Sequence, residues 1–383
     1  MQEKQRSGSP SAADLRPPAA STTAPRCARS DDPRSAAGTA ALPDEQPDGP
    51  AAPASSGLRA RRRFRITALI VGLVLLLVVG GLGLGGRLYA RSVGQEIERV
   101  DAFSHVPEAE RPTRAASKAL NLLILGSDSR DPDTKGSRTD TIMVLHLPAA
   151  RDRAQLISIP RDTWVTVPKS ADGRTGGANA KINTAYAWGG TSLMVRTVES
   201  FTAVRIDHVL LIDFAGFQRI VDAVGGVEID VDRGFTSIHP PHRTFTAGRQ
   251  RLNGAAALDY SRQRKQFSDG DFARIRHQQQ VIAAIMDQAA AKGFLANPVR
   301  LNSFLRATAD AITADKTLSV FDLAWEMRGV RSSDLSRLTS PSSGTGTEGD
   351  ESVVYTDTGQ ARRLYQAVKD DAMEKWLADN PPS

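Results

Sequence analysis

The residues best suited to chemistry are charged ones placed at the ends of apolar runs. Asp128 follows the run 120–125 in Gly126-Ser127-Asp128-Ser129-Arg130, and Asp140 precedes the next run in Arg138-Thr139-Asp140-Thr141. The polar loop between them is short, so both carboxylates can reach one edge of a sheet. Such a pair suits Mg²⁺, which takes few protein ligands and fills its other positions with phosphate and water. The alternative is that Asp128 caps a turn and Asp140 pairs with an arginine. Arginines recur at similar positions: Arg161 after a third run, and Arg262 and Arg264 after Tyr260-Ser261. Two residues apart, the last two face one way if extended. Asp271, Arg274 and Gln278 are spaced i, i+3, i+7 and share one helix face. A lone arginine is usually a solvated surface residue. Several beside two carboxylates point to phosphate, because guanidinium groups stay charged and bind its oxygens bidentately. Asp140 or Asp271 is the candidate general base. No GxxxxGK[ST] motif occurs, so a P-loop is excluded.

The elements that position these residues follow from pattern. Residues 120–125 read as a buried strand, 141–147 and 155–159 as two more, the latter stopped by Pro160. A fourth strand, 207–214, runs into a helix over 215–224 ended by Gly225-Gly226, and 227–231 is a fifth strand. A long helix, capped by Ser268 or Asp269, runs to about residue 291. Two helical stretches, 300–312 and 319–329, follow, then a Ser/Gly/Thr-rich loop over 340–352 and a terminal helix over 360–377. Strands alternating with helices predict an α/β fold, a three-layer α-β-α sandwich around a mixed central sheet. Phe217, Ile220 and Ile282 read as ordinary core. Tyr186, Trp188 and Gly189-Gly190 form either a sugar-stacking edge or a turn packed by aromatics.

The rest of the chain sets the compartment. Of 383 residues, 40% are hydrophobic, and the net charge of +6 favours acidic partners. One cysteine and six scattered histidines exclude a disulfide framework and a zinc hydrolase. Residues 1–58 are Pro/Ala/Ser-rich and predict a disordered tail. Arg59, Arg61, Arg62, Arg63 and Arg65 then precede 66–86, a 21-residue run without a charge. That is long enough for a bilayer core of about 30 Å. The basic flank predicts a single-pass anchor (59–91) with the tail cytoplasmic and the folded part outside. Residues 92–117 are then a stalk, 118–339 the catalytic domain and 340–383 a C-terminal loop and helix. A DNA-binding role is the reading this topology favours least, so no nucleic-acid partner is expected.

In family order, the stretches LLILGSDSR (122–130), SRTDTIMV (137–144), ISIPRDTWV (157–165) and KINTAYAWGG (181–190) recur. DHVLLIDFAGF (207–217), VDAVGGVEI (221–229), LDYSRQR (258–264) and GDFARIRHQQQ (270–280) complete the set. Across roughly 118–290 the chain resembles the LytR-CpsA-Psr family of wall-polymer ligases. The resemblance implies a phosphotransferase that moves a polyprenyl-pyrophosphate-linked glycopolymer onto peptidoglycan, forming a phosphodiester and releasing polyprenyl phosphate. It places metal carboxylates on Asp128 and Asp140, with Mg²⁺, or Mn²⁺, as the cofactor. It places pyrophosphate binding on Arg130, Arg138, Arg161, Lys181, Arg262, Arg264, Arg274 and Gln278. Asp140, Arg161, Arg262, Arg264 and Asp271 are the catalytic candidates. His277 stands where the family pattern has arginine, which matters little if Gln278 holds its position. The polymer (teichoic acid, arabinogalactan or capsule) and the oligomeric state stay open. Rival readings are a polyprenyl-pyrophosphate hydrolase and a non-catalytic lipid-phosphate-binding envelope regulator.

Overall fold

The computed structural model describes residues 97–114, 117–128, 139–294, 304 and 306–381. The chain divides into units 1–70 and 71–383, and all of these residues belong to the second. The tail, the expected anchor 66–86, Arg130, Arg138 and most of 300–305 lie outside the described residues. Among the described residues, no helix is long and apolar enough to cross a membrane.

The chain begins with β1 (Glu98–Val100), β2 (Leu120–Ser127), β3 (Thr139–Leu147) and β4 (Ala154–Ser158), followed by a hairpin of β5 (Trp164–Val167) and β6 (Ala178–Lys181). Next come α1 (Thr184–Thr202), β7 (His208–Asp213), α2 (Phe214–Ala223) and β8 (Val227–Val231). Short strands β9 (Phe235–Thr236) and β10 (Thr244–Phe245) pair with each other, and β11 (Gly248–Leu252) pairs with β8. Then follow α3 (Gly254–Ser261), α4 (Asp271–Ala291), β12 (Ile312–Asp315), α5 (Val320–Glu326), β13 (Leu335–Thr339), β14 (Ser342–Glu348), β15 (Glu351–Thr356), α6 (Thr358–Lys369) and α7 (Met373–Asp379).

Seven strands form a mixed sheet in the order β1-β12-β7-β2-β3-β4-β13. Period-2 alternation in β3 sends Ile142 and Val144 to a core shared with α1, and Met143, Leu145 and Leu147 to one shared with α4. Both faces are therefore covered by helices, which is why the central strands read as unbroken apolar runs. The β2–β3 pairing sets Ser127 opposite Thr139, so Asp128 and Asp140 emerge at one sheet edge. Gly126 sits against Thr141 so closely that a Cβ there would lie 2.7 Å from the threonine Cβ.

Four expectations need correction. Residues 340–352 are not a loop: β14 and β15 form a hairpin whose low apolar content hid it. Arg262 and Arg264 do not continue an extended run. They follow α3, whose Ala-rich stretch carries no clear helical stripe. The helix expected over 300–312 does not reach Ile312, which opens the strand 312–315, pairing antiparallel with β7 and parallel with β1. The fifth expected strand is present as β8 over the expected residues, paired with β11 in a separate two-stranded sheet. Finally, the residue at the N-cap of α4 is Gly270, whose φ of 48° lies in the left-handed region, and neither Ser268 nor Asp269 supplies a side-chain cap.

Candidate functional site

The site is built where β2, β3, the loop after β4 and the start of α4 meet. Pro160 ends the third strand and turns the chain, and the turn presents Arg161 towards the start of β3. Its Nη1 donates to Asp140 Oδ1. Its Nε lies 3.5 Å from Asp162 Oδ2 and 3.9 Å from Asp271 Oδ1. One helical turn along α4, Arg274 Nη2 is 2.5 Å from Asp271 Oδ1. Asp140, Arg161, Asp271 and Arg274 thus form one alternating chain of charge. Arg262, at the end of α3, stacks over the Phe214 ring at 4.5 Å.

Burial divides this chain. Burial pushes the Asp271 carboxyl above the usual carboxylate range, against the pull of Arg274 and Arg161. Arg274 is pushed down by the same desolvation, with Asp271 working to hold its charge. Arg161 ends up above its ordinary value because, although burial opposes its charge, Asp140 and Asp162 outweigh it. A guanidinium stays charged under all of these shifts.

Below the charges lies an apolar cavity of about 400 Å³, within the range of ligand pockets. It opens between one face of the sheet and helices α2 and α4. Asp140, Arg161, Arg262, Arg264, Arg274 and Gln278 ring one end, and Ile124, Phe217, Ile220, Ile282 and Ile285 line its body. Phe217, Ile220 and Ile282 pack against the apolar core, as expected, and also line the cavity. They are half-buried because one side of each faces open space rather than a packed neighbour. Asp213 caps α2 by accepting from Gly216 N–H, which fixes where Phe214 and Phe217 project.

Six of the residues singled out from sequence, Asp140, Arg161, Arg262, Arg264, Arg274 and Gln278, surround this single cavity, and Asp271 pairs with two of them. Lys181 is set in an adjoining cleft instead, with Nζ 3.9 Å from Asp162 Oδ1. Asp128 is exposed at the end of β2, at the same edge as Asp140. His277 turns away from the cavity into a ring cluster, 4.3 Å from Tyr260, and burial lowers its imidazole to about 4. Gln278, not His277, reaches the cavity. Of the aromatic pair considered for sugar stacking, Tyr186 is buried and Trp188 is exposed on α1. α1 kinks there at Gly189-Gly190, where Gly190 has φ 61°.

Sequence reasoning missed Asp162, Phe214 and Ile238. Asp162 adjoins Arg161 and was legible by adjacency. The other two carry no signal, since apolar residues at a cavity wall resemble those in a core.

Among the described residues, no group of three or more His, Cys, Asp or Glu could hold a metal ion. The two carboxylates expected to hold one, Asp128 and Asp140, stand at neighbouring strand ends. That set fits Mg²⁺ when phosphate oxygens and water supply the remaining positions.

The sequence matches the LytR_cpsA_psr family over residues 89–370. Among curated relatives, it is 35% identical over 221 residues to the polyisoprenyl-teichoic acid–peptidoglycan teichoic acid transferase TagU of Bacillus mycoides, covering 56% of this chain and 69% of that one. It is 34% identical over 245 residues to the corresponding transferase TagV of Bacillus subtilis, covering 62% of this chain and 60% of that one. The crystal structure of B. subtilis TagV superposes with a TM-score of 0.58 at 26% identity, covering 67% of this chain and 98% of that structure.

Proposed function

The chain belongs to the LytR-CpsA-Psr family, and from that premise we propose that it is a membrane-anchored phosphotransferase joining a polyprenyl-pyrophosphate-linked glycopolymer to peptidoglycan. The observation that carries this reading is the placement of four arginines at one end of an apolar cavity. A pyrophosphate with a long hydrocarbon tail needs that combination, and a free nucleotide does not. Curated relatives at 34–35% identity are named for the same class of transfer. In the reading proposed, the anchor is 66–86, the N-terminus is cytoplasmic and residues from 92 onward lie outside the membrane.

The chemistry follows from charge. Arg161, Arg262, Arg264 and Arg274 bind and orient the pyrophosphate, and Gln278 adds a neutral hydrogen-bonding partner at the cavity wall. Arg130 and Arg138, carried over from the family pattern, join them in this reading. The acceptor hydroxyl oxygen bonds to the glycan-side phosphorus as the bridging P–O bond breaks. Polyprenyl phosphate then leaves, with its tail still in the cavity. The hydroxyl proton passes to a carboxylate, and of the two candidates, Asp140 and Asp271, Asp140 is the one that lines the cavity, whereas Asp271 is enclosed with Arg274. Mg²⁺, or Mn²⁺, held by Asp128 and Asp140 would supply further neutralisation of charge on the phosphate oxygens. Such transfers depend mainly on alignment and charge stabilisation, which this arrangement provides.

The test uses the full-length protein in detergent with a polyprenyl-pyrophosphate glycan, a peptidoglycan oligomer and Mg²⁺, read by mass spectrometry. A glycan–phosphate–muramic acid adduct that disappears in Asp140→Ala and Arg262→Ala supports the reading. EDTA should abolish the adduct, and Mg²⁺ or Mn²⁺ should restore it. Free glycan phosphate without an adduct would make the protein a hydrolase. Tight lipid binding without turnover would make it an envelope lipid-phosphate binder.

A further inference from the structure

Arg161 and Arg264 each face two recesses. One is the apolar cavity. The other is a polar cleft of about 320 Å³, lined also by Asp162, Lys181, Asn183 and Glu351. Glu351 belongs to the β14–β15 hairpin, from a part of the chain to which sequence assigned no role. The hairpin is fastened beside the arginine: Val354 N–H donates to the Asp162 carbonyl at 2.9 Å, and Thr163 and Val354 form a parallel bridge. Lys181 Nζ stands between two carboxylates, 3.9 Å from Asp162 Oδ1 and 3.8 Å from Glu351 Oε2. Both gaps exceed hydrogen-bond length, so donors and acceptors in the cleft keep capacity for a ligand.

Displacement at phosphorus runs roughly in line, with attacking and leaving oxygens on opposite sides. With the leaving lipid phosphate directed into the apolar cavity, the attacking oxygen must enter from elsewhere, and the polar cleft is the other recess that Arg161 and Arg264 line. We propose that this cleft is the acceptor subsite, binding a carbohydrate bearing the attacking hydroxyl. Glu351 accepts from its hydroxyl groups and Lys181 donates to them. The proposal rests on the transfer reading above and deepens it: the C-terminal hairpin becomes part of the binding site.

The experiment compares Glu351→Ala and Glu351→Gln with the wild-type full-length protein, varying a peptidoglycan oligomer at saturating donor and then the donor at fixed acceptor. Glu351 is largely exposed at the hairpin tip, so neither change disturbs a core. The expected result is an acceptor KM raised roughly tenfold in Glu351→Ala, the usual size of one lost hydrogen bond to a charged group, with donor KM unmoved. Partial recovery is expected in Glu351→Gln. An unchanged acceptor KM in both variants overturns the proposal while leaving the transferase reading intact. A donor KM that rises instead also overturns it, since the cleft would then hold the donor's own glycan. Failure of the wild type to form any adduct would overturn the transferase reading itself.

Discussion

Two aspartate–arginine pairs lie side by side in the site, and they differ in what water can reach. The Asp271–Arg274 side chains are 13% and 6% exposed, whereas those of Asp140–Arg161 are 36% and 18% exposed. The inner pair lies on one helix at i, i+3 and is enclosed by it, and it behaves as a fixture. Its charges were desolvated on folding, and each half depends on the other. The outer pair joins the start of β3 to the loop after β4 and opens to solvent. Its arginine can turn from Asp140 to a phosphate without stranding a buried charge. Like residues thus serve unlike ends: one pair holds the start of α4 in register and the other is available for exchange.

The comparison is most severely tested by removing the inner acid. Asp271→Ala leaves Arg274 buried and unpartnered and should cost about 3–5 kcal/mol of stability, against under about 1 kcal/mol for Asp140→Ala. Equal losses in a denaturant titration would erase the distinction. Next in size, Arg161→Ala should lower turnover by roughly 10²–10³-fold, as for loss of one preorganised charge-stabilising donor. Its melting temperature should stay near wild type. A large drop in melting temperature would mean that the outer pair is a fixture too.

A smaller effect sharpens the contrast by leaving both pairs alone. Ile282→Trp fills part of the cavity and should raise KM roughly tenfold for a long-chain donor, about two displaced methylenes at about 0.8 kcal/mol each. A short-chain donor should be unaffected, and equal effects on both donors would argue against lipid in the cavity. The smallest effect concerns the opposite face of α4. Because His277 is held at about 4 in the folded protein, against about 6.5 when unfolded, acid favours unfolding. Its contribution is fully present above about pH 6.5 and is lost as the pH falls towards 4. The slope, at most about 1.4 kcal/mol per pH unit, should flatten in His277→Phe. An unaltered slope would place the acid sensitivity elsewhere.

Legibility followed hydrophobic pattern. The strands 120–127, 139–147 and 154–158, and α4, announced themselves through continuous apolar runs or helical spacing. Charged residues just beyond those runs then marked the site. The hairpin 342–356 escaped notice because only Val353 and Val354 among its residues are buried, so β14 presents mostly Ser, Gly and Thr. Arg262 and Arg264 were singled out correctly as neighbours of the other charges, but on a wrong premise of extended backbone. The cavity was illegible for a different reason. Ile220 and Ile282 have the residue type and spacing of a packed helix face, and only three dimensions reveal that nothing packs on part of them.

The pairing of β1 with β12 has a kinetic consequence. Glu98 lies against Thr313, a separation of 215 residues (313 − 98). A chain emerging N-terminus first presents β1 early but gives it no partner until the segment after α4 has followed. The sheet's outer edge is therefore among the last parts of the domain to close, and such non-local contacts slow folding. In the interval β1 is an unpaired strand and β7 has an open flank, the kind of surface that misassembles between chains. That edge therefore stays without its partner until about two hundred further residues have been made.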